Sequence, residues 1–226
     1  GINTDAVCTI MRPDGTILER KFINFSSDKD RMYRVLGRIR RFQREHGSRQ
    51  VQGRWAYAKR LDTELGKKIA REIVFYASEN RADVIVFEYL EMKGKLSGKK
   101  KQKLQMWRKR DIQKRCGQQA HRKGIRISRI CAWNTSRLAF DGSGKIDRDI
   151  QDHRLCTFQN GKRYNCDLSA SYNIGARYFI REILKPLPAT ERSLLEAKVP
   201  AVKRRTSCVY ADLRDLISEM ELQKAA

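Results

Sequence analysis

The chain has 226 residues, with 49 Lys and Arg against 26 Asp and Glu, and a formal net charge of +23. An excess of this size repels itself in a compact fold and points to a polyanionic partner, nucleic acid before an acidic membrane surface. Hydrophobic residues make up 40%, enough for a core and too evenly mixed with charge for wholesale disorder; no apolar run reaches membrane-spanning length and no signal-peptide pattern appears, so an intracellular chain of one large or two small domains is expected.

In chain order, "AVCTIMRPDGTILERKFINF" predicts a hairpin, with strands over 7–11 and 17–25 around the turn Pro13-Asp14-Gly15. Ser26, Ser27 and Asp28 offer caps for a helix over 29–46, which carries Met32, Val35, Leu36, Ile39 and Phe42 on one face and arginines on the other. A second helix is predicted over 55–80, from Leu61, Leu65, Ile69 and Ile73 at four-residue intervals. The continuous apolar run over 84–87 suits a central strand covered on both faces. A Gly/Lys-rich loop follows over 93–103, then a helix over 104–123 ended by Gly124, and a strand over 125–133. Residues 134–166 read as loop. A helix begins after Cys166 and is ended by Pro186 and Pro188, and residues 189–226 form one or two amphipathic helices with a basic break at 203–205. The order hairpin, helices, central strand predicts a mixed α/β fold. Six cysteines (Cys8, Cys116, Cys131, Cys156, Cys166, Cys208) lack paired spacing and read mostly as buried thiols.

Two carboxylates hold unusual addresses. Glu88 closes the apolar strand, where the active sites of open sheets gather, although alone it better suits a strand-end residue reaching solvent. Asp167 stands in the first turn of "DLSASYNIG", where alone it suits an N-cap. Taken together they fit phosphodiester cleavage by two divalent ions about 3.5–4 Å apart. Magnesium takes carboxylate oxygens and keeps several waters, so such a site needs acids from distant segments inside a basic surface. One acid of the set is missing. The basic candidates for phosphate contact are Lys99, Lys100, Lys101, Lys103, Arg108, Lys109, Arg110, Lys114 and Arg115. Trp107 sits among them, either to stack on a base or to pack its helix on the core. His121 and His153 show no partner pattern and receive no role.

These stretches resemble a known family. "VIVFEYLEM" is similar to the second RuvC-like motif of the TnpB family, transposon-encoded RNA-guided nucleases related to type V CRISPR effectors. "CDLSASYNIGAR" resembles its third motif, Asp-x-Asn-Ala-Ala-x-Asn-Ile, with Ser169 and Ser171 as small substitutions. "GINTDAVCTIM" resembles the continuation of its first motif, Gly-Ile-Asp-x-Gly and a strand, and "RISRICAWNTSR" the lead into its zinc ribbon. The resemblance covers about residues 1–185 in the family's order. It implies an α/β, RNase H-like (RuvC-like) fold, N-terminally truncated, with helical insertions and a degenerate zinc-ribbon-like insert. The expected division is 1–130 for the first part of the nuclease domain, 131–166 for the target-binding insert, 167–188 for the final nuclease helix and 189–226 for a helical tail. The implied activity is cleavage of DNA chosen by pairing with a guide RNA, with Mg²⁺ or Mn²⁺ held by Glu88 and Asp167 as the second and third catalytic acids. The implied partners are guide RNA and target DNA, with no membrane, at the nucleoid of a prokaryotic cytoplasm.

Two departures qualify the resemblance. The ribbon's first cysteine pair is absent from "SRLAFDGSG", and Cys156 lacks a partner three residues on, so the insert is expected to be zinc-free and held by packing. The opening admits two registers. In one, Asn3 stands where the first catalytic Asp belongs; in the other, which keeps the family spacing, Gly1 is the second glycine of the motif and the Asp precedes it. Asp5 is then a solvated turn residue. Either register leaves two of three catalytic acids and a chain inactive by itself. The competing readings are a catalytically silent RNA-guided DNA binder and a non-specific basic nucleic-acid-binding module.

Overall fold

The computed structural model describes residues 4–47, 51–89, 109–204 and 206–225. The opening Gly1 to Asn3, the lysine-rich loop and Trp107 lie outside them. Strands β1 (Ala6–Met11) and β2 (Ile17–Ile23) form the predicted antiparallel hairpin. Gly15 turns it at φ +78°, a left-handed conformation that glycine adopts without steric cost. The second strand ends two residues early because the Phe25 amide leaves the ladder and donates to Asp5 Oδ2 at 2.7 Å. Lys29 pairs with the same carboxylate at 3.6 Å. Asp5 therefore ties the hairpin to the next helix and is not the solvated turn residue expected.

Helix α1 (Ser26–His46) starts earlier than predicted, so the expected caps fall inside it. Its N-cap, Phe25, makes no side-chain cap bond. Asp28 instead pairs with Lys68 of α2 (Gln52–Glu79) at 2.8 Å, from a first turn whose dipole favours a negative charge. The apolar stripe of α1 packs Met32, Leu36 and Ile39 against Ala58, Trp55 and Leu61 of α2. Farther along, Ile69, Ala70, Ile73, Val74 and Ala77 of α2 meet Ile23, Ile85, Cys116, Ala120 and Ile125 in the central core. Each such Val or Ile contributes roughly 1.5–3 kcal/mol when fully buried.

Strand β3 (Val84–Tyr89) runs parallel to β4 (Arg126–Cys131), and helix α3 (Lys109–His121) lies between them in sequence and packs on α2. Gly124, at φ +71°, ends the turn after that helix as predicted. β3 extends two residues past its apolar run. Among the described residues it pairs only with β4, as β1 pairs only with β2. The two ladders are joined by helix α4 (Cys166–Leu184), which packs on β1, β3 and β4.

Residues 134–166 are not the loop their composition suggested. β5 (Asp147–Arg148), β6 (Leu155–Thr157) and β7 (Arg163–Asn165) form an antiparallel sheet whose strands are too short to leave a period in the sequence. Phe140 anchors it, 5.6 Å from the Phe158 ring, 5.0 Å from Tyr164 and 5.1 Å from Tyr172. Cys156 and Cys166 are buried in the same cluster. The tail forms α5 (Ala189–Lys198), a 3-10 turn (Pro200–Lys203) and α6 (Tyr210–Ala225). It shares a core with α4 through Ile180, Leu184, Leu195, Val202, Leu213 and Leu216. The Tyr210 hydroxyl donates to the Gly15 carbonyl at 2.7 Å, fastening the tail to the hairpin turn. Among the described residues, no helix is long and apolar enough to cross a membrane.

Candidate active site

The position of the two acids follows from how α4 lies. Along it, Ser171 meets Thr9 of β1, hydroxyl to hydroxyl at 2.6 Å, and Gly175 lies against Met11. The helix therefore advances with β1. Against β4 it runs backwards. Arg181 Nη2 donates to Ser128 Oγ at 2.7 Å, Arg177 Nη1 to the Cys131 carbonyl at 2.9 Å, and Asn173 Nδ2 to the Thr135 carbonyl at 3.0 Å. The start of α4, with Asp167, thus lies toward the C-terminal ends of β3 and β4. Glu88 is the penultimate residue of β3, level with Ile130. The fold brings both predicted acids to one end of the β3–β4 ladder. Asp167 lies one helical turn before Ser171, on the face turned to β1.

Asp167 does not cap its helix. That work falls to Asn165, whose side-chain oxygen accepts from the Leu168 amide at 2.9 Å. Asp167 stands inside the first turn, partly exposed. Glu88 is partly buried and accepts from the Thr135 hydroxyl, which also lies 3.1 Å from the Ala132 carbonyl. Its backbone carbonyl accepts from Gln113 Nε2 of α3 at 3.0 Å. Thr135 is held in turn by Asn173, fully buried, which also donates to the Leu138 carbonyl at 3.0 Å and accepts from the Tyr210 amide at 3.0 Å.

Arg177 backs this arrangement. It is 3% exposed and donates to the carbonyls of Cys208 at 2.8 Å, Cys131 at 2.9 Å and Trp133 at 2.7 Å. Its Nη2 has no hydrogen-bond partner among the described residues. Burial pushes the guanidinium below its ordinary range, opposed by nearby thiols and carboxyls that include Glu88. Thr135, Asn173 and Arg177 were missed as functional residues. The first lies in the quoted "CAWNTSR" and the others in "SYNIGAR", but nothing in their spacing says which side chains turn inward.

The donors at this end are hard carboxylate oxygens, the chemistry that Mg²⁺ or Mn²⁺ takes. Among the described residues, however, no three His, Cys, Asp or Glu side chains gather as a metal site. The oxygen set fits such an ion in kind and is short by at least one ligand.

Of the predicted phosphate contacts, Lys99, Lys100, Lys101, Lys103 and Arg108 lie outside the described residues, and Lys109 opens α3. Arg110 and Lys114 are exposed one turn apart on α3. Arg115 pairs with Asp111 at 2.8 Å and lines a groove with Lys67, Arg71, Arg122 and Lys123 around the half-exposed Phe75. A second cleft opens beside Thr135, lined by Arg137, Lys145, Arg148 and the exposed Trp133. Apart from Arg115, these cations were not singled out from the sequence, because they are dispersed along the chain and meet only in the fold.

These features define a mixed α/β protein with small sheets, two acids toward one sheet end, a cation-lined cleft beside Thr135 and a second cation-lined groove on α2 and α3. No protein-family model and no curated protein matches the chain. Among solved structures, it is similar to a chain of the Cas12f1–sgRNA–target DNA complex determined by cryo-electron microscopy. The TM-score is 0.57 and the identity 19%, over 77% of this chain and 47% of that one. The likeness is one of fold, and this chain spans about half the length of its counterpart.

Proposed function

We propose that the chain is the RuvC-like nuclease portion, RNase H-like in fold, of an RNA-guided DNA endonuclease of the TnpB kind. The observation that supports the reading is the bond from Thr135 to Glu88, with Thr135 held in turn by Asn173 of the helix that carries Asp167. The fold likeness to a protein that works with an sgRNA and a target DNA supports it, as does the net charge of +23. In this reading Glu88 and Asp167 hold Mg²⁺ or Mn²⁺, which when bound stabilises charge on the attacking and leaving oxygens. Thr135 would hold the Glu88 carboxylate in place as a ligand. The cleft with Trp133 and Arg137 and the predicted lysines carry the nucleic acid.

One observation favours a second reading, a catalytically silent RNA-guided DNA binder. Among the described residues no three potential ligands gather, and two carboxylates hold a divalent ion weakly. A single preparation separates the readings. The intact protein, purified with its bound nucleic acid, is expected to carry a structured RNA and to cut complementary DNA when Mg²⁺ or Mn²⁺ is added. RNA retention with no cutting at any ion concentration supports the silent binder; absence of bound RNA contradicts both.

A further inference from the structure

The α1–α2 hairpin carries a charged surface with no part in the acid site. Helix α1 has six arginines, Arg31, Arg34, Arg38, Arg40, Arg41 and Arg44, against three acids. All six are exposed. Of the acids, Asp28 is occupied by Lys68 and Glu45 lies 4.0 Å from His46. Among the described residues none of the six arginines pairs with a carboxylate. Arg31 instead donates to the Tyr57 hydroxyl at 2.6 Å, with Arg60 over that ring at 5.8 Å.

The spacing is regular. Arg31, Arg34, Arg38 and Arg41 recur every three or four residues and so share one helix face. They span ten residues, about 15 Å of helix. Arg40 and Arg44 form a second row behind Tyr33, which is 71% exposed. Like charges at this spacing repel and weaken the helix that bears them. The hairpin has its own apolar core in Met32, Leu36, Ile39 and Ala58, so the arginines beyond Arg31 serve no packing need. Guanidinium, planar and permanently charged, matches a phosphate bidentately where lysine offers a point charge.

We infer that this arginine face is a binding surface for the phosphodiester backbone of a nucleic acid, separate from the acids. The inference rests on the nucleic-acid reading above and adds a second contact surface to it. The four-arginine row, about 15 Å long, faces on the order of four phosphates of one strand at about 3.4 Å of helix axis each. Because backbone contacts carry no sequence information, the surface grips without choosing sequence.

The test is salt-dependent binding of the intact protein to three labelled probes of unrelated sequence: duplex RNA, duplex DNA and single-stranded DNA. Arg34→Ala/Arg38→Ala/Arg41→Ala is expected to shrink the affinity ratio between 50 and 200 mM salt by roughly 3.5-fold per lost contact, about 40-fold in all, for at least one probe. Loss confined to the RNA probe identifies guide as the occupant, and loss confined to a DNA probe identifies target. Arg34→Lys/Arg38→Lys/Arg41→Lys keeps the charge and is expected to keep the salt slope, which guards against misfolding as the cause. The slope is read from binding alone, without added divalent ion or cleavage, so failure of the nuclease reading does not mimic failure here. An alanine triple with parental affinity and slope on all three probes overturns the inference, as does a lysine triple that loses the slope equally.

Discussion

Thr135 donates its hydroxyl to the Glu88 carboxylate across 47 residues of chain, and Asn173 of α4 in turn donates to the Thr135 carbonyl. The strand acid and the helix that carries Asp167 are thereby fixed to one another through a single threonine. Thr135 is 1% exposed, so no solvent competes at its own position.

Thr135→Val keeps the shape and removes the donor. The expected cost is on the order of 1–2 kcal/mol in urea unfolding, since Glu88 is only partly buried and water replaces part of the bond. Cleavage by the intact protein should fall further than stability does, because the freed carboxylate rotates. Parental cleavage in this variant contradicts a positioning role for Thr135.

Asn173 is more deeply committed, because its amide serves the Thr135 and Leu138 carbonyls and the Tyr210 amide at once. Asn173→Leu leaves all three buried groups unpaired, at about 1–3 kcal/mol each before relaxation. A loss of about 3–5 kcal/mol in chemical denaturation is expected, enough to unfold a marginal domain. A loss under 1 kcal/mol contradicts the hydrogen-bond assignment.

The insert has its own pH signature. Asp152 is lowered to about 2 by the Arg154 side chain and amide. Asp149 is lowered by the amides of Asp152 and Gln151. In Asp141 the rise from burial is outweighed by bonds from Ser143 and Asn160. A folded pKa below the unfolded value gives stability present above pH 3.8 and lost as pH falls toward about 2. The near-ultraviolet dichroism of the Phe140–Tyr164–Tyr172 cluster is therefore expected to hold down to about pH 4 and decline below it. A signal unchanged from pH 5 to 2 contradicts this.

The thiols separate by environment. Burial pushes Cys8, Cys116 and Cys156 up to about 12, whereas Cys131 is exposed. Only thiolate attacks a disulfide reagent. Native labelling should be fast at Cys131 and negligible at the other three, with or without a chelator. Chelator-dependent labelling of Cys156 would reveal a bound metal and overturn the expectation of a zinc-free insert.

Legibility in the sequence followed the length of each signal. The helices with four-residue stripes, Ile69 and Ile73 in α2 among them, were readable to within three residues, as was the hairpin around Gly15. The insert strands were invisible because two or three residues carry no period. Asp5 was misassigned, and the cap of α4 was looked for at Asp167 when Asn165 makes it, because an acid or amide near a helix start has several uses and only the fold shows which backbone amide it meets. Glu88 and Asp167 stood out through motif resemblance, but their common end of the ladder depends on the direction of α4, which no local pattern encodes. The groove around Phe75 joins residues from α2 and α3 that are about fifty positions apart.

The most direct test of the central claim compares Glu88→Gln and Asp167→Asn in the intact protein, measuring RNA retention and cleavage of matched DNA in one preparation. Both variants are expected to keep RNA binding at the parental level and to lose cleavage by a factor of at least 10³, about 4 kcal/mol of transition-state stabilisation. Parental cleavage in either variant would show that the paired acids are not the catalytic pair.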